Sequence, residues 1–424
     1  QKIMSKEKKK RVLVVCQHFW PETFRITDVC EGFVQNGYEV DVLCGIPNYP
    51  SGKFFPGYGL FKNRRQTYKG INIIRAPEIP RGNNTNFRIL INYLSFSFFA
   101  LFYVPMLAMR KYDRVFAYQL SPVFMSLPAI WVAKLKGIKL YIYICDFWPH
   151  SLLSILHFKN KLILKFVTAM SYWHYRRADG VVGVFKGIQR RLISDVKIPK
   201  EKTLYIPQAA EKIYETEVHD KTLEKRFKDK FTIVFAGSIN PAQSFDTVLA
   251  AAKTVYSKGY DNVHFVIVGG GMSKDWLVNE VESTGLSKHF SFEGFMPFEE
   301  VPKYQTVADA LLVALTRSPL FEYGIPAKVQ SYMASGKPIV GAMDGEGQRL
   351  INDSGCGICV DSGDAEGLAK AITDLVDMKS KDRKAMGAKG RDYHFKHFER
   401  DYNLRRLIDF VFNDKRVEDT EYLD

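Results

Sequence analysis

The feature that most restricts what this chain can fold into is an alternation of short apolar runs with helix-length stretches, repeated along most of its length. Runs fall at 11–16, 39–44, 71–75, 114–118, 140–145, 180–184 and 203–206, and a second series follows at 231–236, 264–268, 290–293, 310–313, 338–341 and 357–360. Strands separated by helices form parallel sheets covered on both faces, so each series predicts one doubly wound α/β domain. Helical patterns at 247–258, 274–284 and 365–377 separate strands of the second series, the last with Asp364 placed as N-cap. The stretch 211–230, dense in Lys, Glu and Asp, reads as a connector. The expected organisation is two Rossmann-like domains, 1–210 and 211–394, and a helical tail over 395–424. Open sheets of this kind bind ligands at the carboxyl ends of their strands, so the two domains are expected to face each other across a cleft.

Composition narrows the partners. With 424 residues, 46% of them hydrophobic and 25% charged, the chain is too long for one ordinary domain and too apolar for a disordered one. Sixty Lys plus Arg against forty-six Asp plus Glu give a formal charge of +14, which attracts phosphates, nucleic acid or an anionic membrane. The 14% aromatic content favours the membrane interface, and no nucleic-acid partner is expected. Six cysteines are too sparse for a disulfide framework and fit a reducing cytoplasm. Cys356 and Cys359 have redox spacing but read as structural, and His394 and His397 read as surface residues of a C-terminal helix, not as metal ligands. The basic start over 2–11 imitates a secretion signal, but the apolar run behind it is too short for one.

One segment breaks the alternation. Residues 89–109 are nearly unbroken in apolar and aromatic character, long enough to span a bilayer. A span would split one parallel sheet across a membrane, so it is rejected. Two readings stay open: a helix buried in the core, or partial burial in a membrane surface, which the flanking Arg88, Arg110, Lys111 and Arg114 suit.

Candidate chemistry concentrates at strand ends. The run 231–236 enters a turn at Gly237-Ser238, followed by Asn240, Gln243 and Ser244, and the next run ends at Gly269-Gly270-Gly271. Glycines there permit positive φ and close approach of a ligand to the backbone. Gly324-Ile-Pro326-Ala-Lys328 opens a helix that Gly336 and Pro338 close. A cation in a first helical turn, where an acid is ordinarily preferred, suggests a bound phosphate. In the first domain, Pro21, Glu22 and Arg25 follow the first strand, and Asp146 and Trp148 follow the fifth.

These residues resemble a known family. Phe19-Trp-Pro21-Glu22 with Arg25, Gly45-Ile-Pro47-Asn48-Tyr49-Pro50-Ser-Gly52, Asp146-Phe-Trp148-Pro149, Ala236-Gly237-Ser238, Ala242-Gln243, Val268-Gly269-Gly270-Gly271 and Ile325-Pro326-Ala-Lys328 are similar to the motifs of family 4 retaining glycosyltransferases of the GT-B fold. Within that family the chain resembles bacterial surface-polysaccharide enzymes of the fucosamine and colanic-acid types. The resemblance implies an acceptor-binding first domain, a nucleotide-sugar-binding second domain, and a C-terminal helix crossing back to the first. It implies a peripheral enzyme on the cytoplasmic side of the cell membrane that moves a hexosyl or N-acetylhexosaminyl group from a UDP- or GDP-sugar to a lipid-linked oligosaccharide of capsule, O-antigen or exopolysaccharide. No metal and no cofactor are expected.

The resemblance also assigns roles. Lys328, Glu346 and Asp146 are the expected catalytic residues. Gly237, Ser238, Gln243, Gly269, Gly270, Gly271, Lys328, Ser331 and Tyr332 are expected to hold the donor, and Pro21, Glu22, Arg25 and Trp148 the acceptor. The family's Glu-x7-Glu pair would fall at Tyr323 and Ser331, with Glu322 one residue out of register, and its Arg and Lys correspond to Ser238 and Gln243. An acid from the later turn Asp344-Gly345-Glu346-Gly347 is the expected substitute. Two other classes are weighed against a transferase: a GT-B nucleotide-sugar epimerase, and a noncatalytic subunit that binds a nucleotide sugar.

Overall fold

A computed structural model describes residues 9–149, 161–318 and 324–418. The chain forms two compact units, Gln1–Pro207 with Leu404–Glu418, and Gln208–Asn403.

The first unit is built on an eight-stranded sheet of β1 (Arg11–Val15), β2 (Glu39–Cys44), β3 (Arg65–Tyr68), β4 (Ile71–Arg75), β5 (Arg114–Gln119), β6 (Lys139–Ile144), β7 (Gly180–Gly183) and β8 (Thr203–Tyr205). Their spatial order is β3-β4-β2-β1-β5-β6-β7-β8, all parallel except β3, which pairs antiparallel with β4. β1, β2, β5 and β6 are buried almost throughout, as central strands covered on both faces must be. β3, Arg-Gln-Thr-Tyr, is a short polar edge strand, and that is why no apolar run announced it. The order reverses between β1 and β5, which opens a crevice at their carboxyl ends.

The 89–109 segment is not one helix. It lies in helices Asn86–Leu101 and Val104–Met109, with Pro105 in the first turn of the second, where its missing N–H is harmless. The first helix turns its polar residues inward: Asn92, Ser95 and Ser97 are buried, while Phe87, Phe98 and Phe102 are 70%, 57% and 67% exposed. Among the described residues no helix is long and apolar enough to cross a membrane.

The second unit holds a six-stranded, all-parallel sheet of β9 (Phe231–Ala236), β10 (Val263–Val268), β11 (Phe290–Gly294), β12 (Ala310–Ala314), β13 (Ile339–Ala342) and β14 (Gly357–Val360), ordered β11-β10-β9-β12-β13-β14. Its reversal lies between β9 and β12. Helix Ala365–Asp377 begins at Asp364, whose carboxylate accepts the Gly367 N–H at 2.8 Å. The stretch 211–230, expected as a connector, is part of this unit: Asp220 caps helix Lys221–Phe227, and Leu223 and Phe227 are buried. The two are spaced one helical turn apart inside a charged sequence, too little apolar signal to read alone.

The expectation for the tail histidines is corrected. His394 and His397 are buried in the turn His394–Phe398, and His394 Nε2 lies 3.1 Å from the Glu215 carboxylate. Burial lowers the His394 pKa, with Glu215 opposing it. Cys356 and Cys359 are free and buried, their thiols pushed up to about 11 and about 12 by burial. Beyond Asn403 the tail packs into the first unit, where Phe412 stacks on Tyr38 at 3.8 Å and Leu404 fills the space above Gly32.

Candidate active site

The turns after β9 and β10 are zipped together. Gly237 N–H donates to the Val268 carbonyl at 3.0 Å, and Ile239 N–H to the Gly270 carbonyl at 2.8 Å. Gly269 (φ 139°) and Gly271 (φ 151°) lie so close to this backbone that a Cβ would stand 1.9 Å from the Gly237 oxygen and 2.2 Å from the Ile239 oxygen. Two members of the triglycine are therefore required by packing and backbone conformation, and Gly270 alone has room around it. Ser238 is exposed at the corner, and Asn240 caps the next turn by accepting the Ala242 N–H at 3.0 Å. The chain then enters helix Phe245–Ser257.

The loops that flank the β9/β12 reversal meet here, with Thr316 N–H donating to the Ala242 carbonyl at 2.9 Å. From the β12 side, helix Ala327–Ser335 starts behind Pro326 with no side chain capping its first N–H groups. Lys328 reaches from its first turn to the glycine corner. Its Nζ donates to Gln243 Oε1 at 2.5 Å, lies 3.8 Å from the centre of the Phe235 ring, and would be 3.3 Å from a Cβ at Gly237. Lys328 is partly exposed as a residue, but its ammonium is enclosed, and burial brings its pKa down to about 7. No carboxylate forms an ion pair with it among the described residues. A cation held by one amide and one ring face is poised to gain charge when an anion arrives.

The neighbouring candidates divide. Ser331 donates to the Lys328 carbonyl at 2.9 Å, and the buried Tyr332 accepts the Ala236 N–H at 3.1 Å, so both brace Lys328 and the end of β9 from inside. Glu346 is buried in the first turn of helix Glu346–Asp353, whose Gly347 packs on Pro326. Two helix N-termini thus adjoin. Asp344 accepts from Arg317 Nε at 2.8 Å and from Ser362 N–H at 2.9 Å, and its pKa is lowered by these bonds against the opposing effect of burial. Arg317, in the loop after β12, was not singled out by sequence because no local pattern marks it. Glu322 and Tyr323 lie outside the described residues.

In the first unit, Asp146 follows β6 and accepts from Ser121 Oγ at 3.0 Å, and that hydroxyl in turn accepts from Trp148 Nε1 at 3.0 Å. Burial raises the Asp146 pKa, with the Ser121 hydrogen bonds opposing. Trp148 is buried and edge-on to Phe124, so it positions Asp146 through Ser121. Glu22 is buried too. Its Oε1 accepts the Asn48 and Tyr49 N–H groups at 2.8 and 2.7 Å, tying the loop after β1 to the loop after β2. Pro21 is half-buried beside it. Arg25 opens helix Arg25–Gln35 and acts on the buried Tyr118 and Tyr143, whose pKa values burial raises and Arg25 lowers. His18, Arg81 and Tyr93, which the sequence did not single out, gather around these loops.

Among the described residues no group of three His, Cys, Asp or Glu side chains could hold a metal ion. A cavity of about 690 Å³ lies at the amino ends of β12 and β13, remote from the glycine corner; Lys337 and Arg391, which line it, are committed to backbone carbonyls.

Comparison with known proteins decides the family. A model of a "glycosyl transferase 4-like domain" matches residues 23–209, and one of "glycosyl transferases group 1" matches residues 219–393. The chain belongs to the family 4 glycosyltransferases. This glycosyltransferase is 22% identical over 95% of its length to WcaI of Escherichia coli strain K12, which is named a colanic acid biosynthesis glycosyl transferase and is covered over 99% of its own length. Among solved structures it resembles sucrose-phosphate synthase of Thermosynechococcus elongatus (TM-score 0.71, 13% identity, 95% and 98% coverage). It also resembles HepE of Anabaena in complex with UDP (TM-score 0.69, 15% identity, 95% and 99% coverage). These likenesses establish the GT-B fold for the glycosyltransferase.

Proposed function

We propose that this glycosyltransferase is a retaining, metal-independent enzyme that moves a hexosyl or N-acetylhexosaminyl group from a nucleotide-diphosphate sugar to a lipid-linked saccharide in bacterial surface-polysaccharide assembly. The observation that carries the reading is Lys328: a cation without a carboxylate partner among the described residues, set against a glycine corner at the switch point of the second sheet. A UDP or GDP moiety would place its diphosphate there, bound by Lys328, by the Ser238 backbone N–H, and by the uncapped start of helix Ala327–Ser335. Gln243 fixes the ammonium, Gly269 to Gly271 shape the corner, and Ser331 and Tyr332 support it. Glu346 binds hydroxyls of the donor in place of the family's acidic pair.

As the bond from the anomeric carbon to the diphosphate breaks, negative charge grows on the departing oxygen, where Lys328 and the helix N–H dipoles stabilise it. The new bond forms from the acceptor hydroxyl to the anomeric carbon, and the hydroxyl proton passes to the departing phosphate. That route needs no strong protein base. In the first unit Asp146 orients the acceptor hydroxyl, with Trp148, Pro21, Glu22 and Arg25 shaping the loops around it.

A membrane partner is supported by helix Asn86–Leu101, whose outward stripe of Phe87, Leu94, Phe98 and Phe102 leaves in water the area its buried Asn92 and Ser95 would ordinarily occupy. Arg88, exposed in the first turn of that helix, suits an anionic cytoplasmic leaflet. The test is incubation of purified protein with a panel of UDP- and GDP-sugars and a membrane extract, following nucleotide release. Release that depends on one sugar and on the extract supports the reading; interconversion of the sugar without nucleotide release would replace it with an epimerase.

A further inference from the structure

Two buried arginines flank the turn after β4, and their surroundings differ. Arg75 is fully buried, and its guanidinium donates to the Trp20 carbonyl at 2.6 Å, the Gly45 carbonyl at 3.1 Å and Gln66 Oε1 at 3.3 Å. It is a cross-link between loops. Arg81 is 8% exposed and has no such oxygens. Its Nη2 donates to His18 Nε2 and to the Tyr93 hydroxyl, both at 3.2 Å, and its guanidinium lies 5.0 and 5.2 Å from the centres of the Tyr49 and Tyr93 rings. Arg81 Nε is buried without a partner, as is Arg75 Nε, so the two differ in the oxygens around their Nη atoms.

The two carboxylates of this cluster are already engaged. Glu78 accepts from Gln17, Asn92 and Asn48 amides at 2.9, 3.1 and 3.1 Å. Glu22 accepts the Asn48 and Tyr49 N–H groups and lies 3.0 Å from His18 Nδ1. Because a guanidinium only donates, His18 Nε2 must accept, which leaves the ring proton on Nδ1 for Glu22 and makes His18 neutral. Arg81 is thus a nearly buried cation in a collar of neutral groups, with no carboxylate paired to it among the described residues. Buried charges are ordinarily paired, and a cation that feels Glu78 only at longer range, while that carboxylate is engaged by three amides, points to an anion that arrives from outside.

We propose that Arg81, collared by His18, Tyr49 and Tyr93, binds a phosphate group carried by the acceptor. The guanidinium fork matches phosphate oxygens. Tyr93 accepts from Arg81 and keeps its own O–H to donate to a second oxygen of the same group. Asp146 acts on Tyr93, so the residue assigned to the acceptor hydroxyl lies in the same neighbourhood. The exposed aromatic helix carries Tyr93, which puts the anion beside the surface that a lipid headgroup would approach. The proposal rests on the reading of the first unit as the acceptor unit.

The test titrates inorganic pyrophosphate calorimetrically into the full chain, Arg81→Gln, Lys328→Ala and the double variant. Two binding events are expected in the starting protein; Arg81→Gln weakens one by at least about tenfold, Lys328→Ala removes the other, and the double variant binds none. Unchanged binding to Arg81→Gln overturns the proposal whatever Lys328→Ala does, whereas loss in Arg81→Gln with no effect of Lys328→Ala overturns the donor reading instead. Melting curves guard against misfolding: pyrophosphate should raise the melting temperature of Lys328→Ala but not of the double variant, and an equal rise in both assigns Arg81 to packing and overturns the proposal. Arg81→Lys, which keeps the charge without the fork, should bind with intermediate affinity. Tighter binding of geranyl diphosphate than of pyrophosphate to Lys328→Ala supports a lipid source, and equal binding supports a soluble phosphate ester.

Discussion

Lys328 in the second unit and Arg81 in the first are the same solution reached by different routes. Each is an enclosed cation held by neutral groups and aromatic faces, Gln243 and Phe235 in one case, His18, Tyr49 and Tyr93 in the other. Lys328 is presented by a short helix against a turn next to its own sheet, whereas Arg81 is fixed by loops that follow β1, β2 and β4. The comparison teaches that, among the described residues, a cation short of both carboxylate and carbonyl acceptors marks an anion site more than the motif that carries it.

The largest effect expected from breaking the comparison is at Lys328. Lys328→Ala should weaken binding of the donor's nucleoside diphosphate by roughly a hundredfold, read by calorimetry, and leave the Arg81-dependent event intact. Lys328→Met should do the same yet raise the melting temperature of the ligand-free protein near neutral pH. The sign follows from the depressed pKa: the unfolded lysine holds its proton up to its ordinary value, the folded one loses it above about 7, so this group costs stability below that ordinary value and the cost fades as pH rises toward it.

The same shift predicts a pH dependence that Arg81 cannot share, since a guanidinium does not titrate in this range. A diphosphate raises the Lys328 pKa on binding, so nucleotide affinity should fall by up to about tenfold per pH unit above 7, with proton uptake visible in buffers of different ionisation enthalpy. Pyrophosphate binding to Lys328→Ala should not fall over that range, because the guanidinium keeps its charge while the ligand only gains negative charge. On the membrane side, Phe98→Ser should reduce partition onto anionic liposomes by about tenfold, the scale of one phenyl ring withdrawn from lipid. The smallest effect is expected for Gln243→Leu, a few-fold weaker nucleotide binding from the loss of one hydrogen bond worth about 1 kcal/mol.

The strands and the Lys328 helix were legible in the sequence because their signals are local. Apolar runs marked every parallel strand, and Asp364 marked its helix in four residues of text. The polar edge strand β3 and the helix Lys221–Phe227 carry too few apolar residues to stand out. Arg81 was illegible for another reason: its meaning depends on His18, Asn48 and Tyr93, which lie far from it in sequence or on another element, and nothing in Pro80-Arg81-Gly82 distinguishes it from a surface residue. The 45–52 motif held the only hint, since Asn48 accepts the Arg81 N–H while its amide binds Glu78. Likewise the inverted helix Asn86–Leu101 reads as plain hydrophobicity until the Glu78 cluster shows why Asn92 must face inward.

The most direct measurement is a crystal structure of the full chain with the nucleoside diphosphate of its donor. The account predicts diphosphate density between the Gly237 turn and the first residues of helix Ala327–Ser335, with Lys328 Nζ on a phosphate oxygen. Density elsewhere, with Lys328 still turned to Gln243, would contradict it.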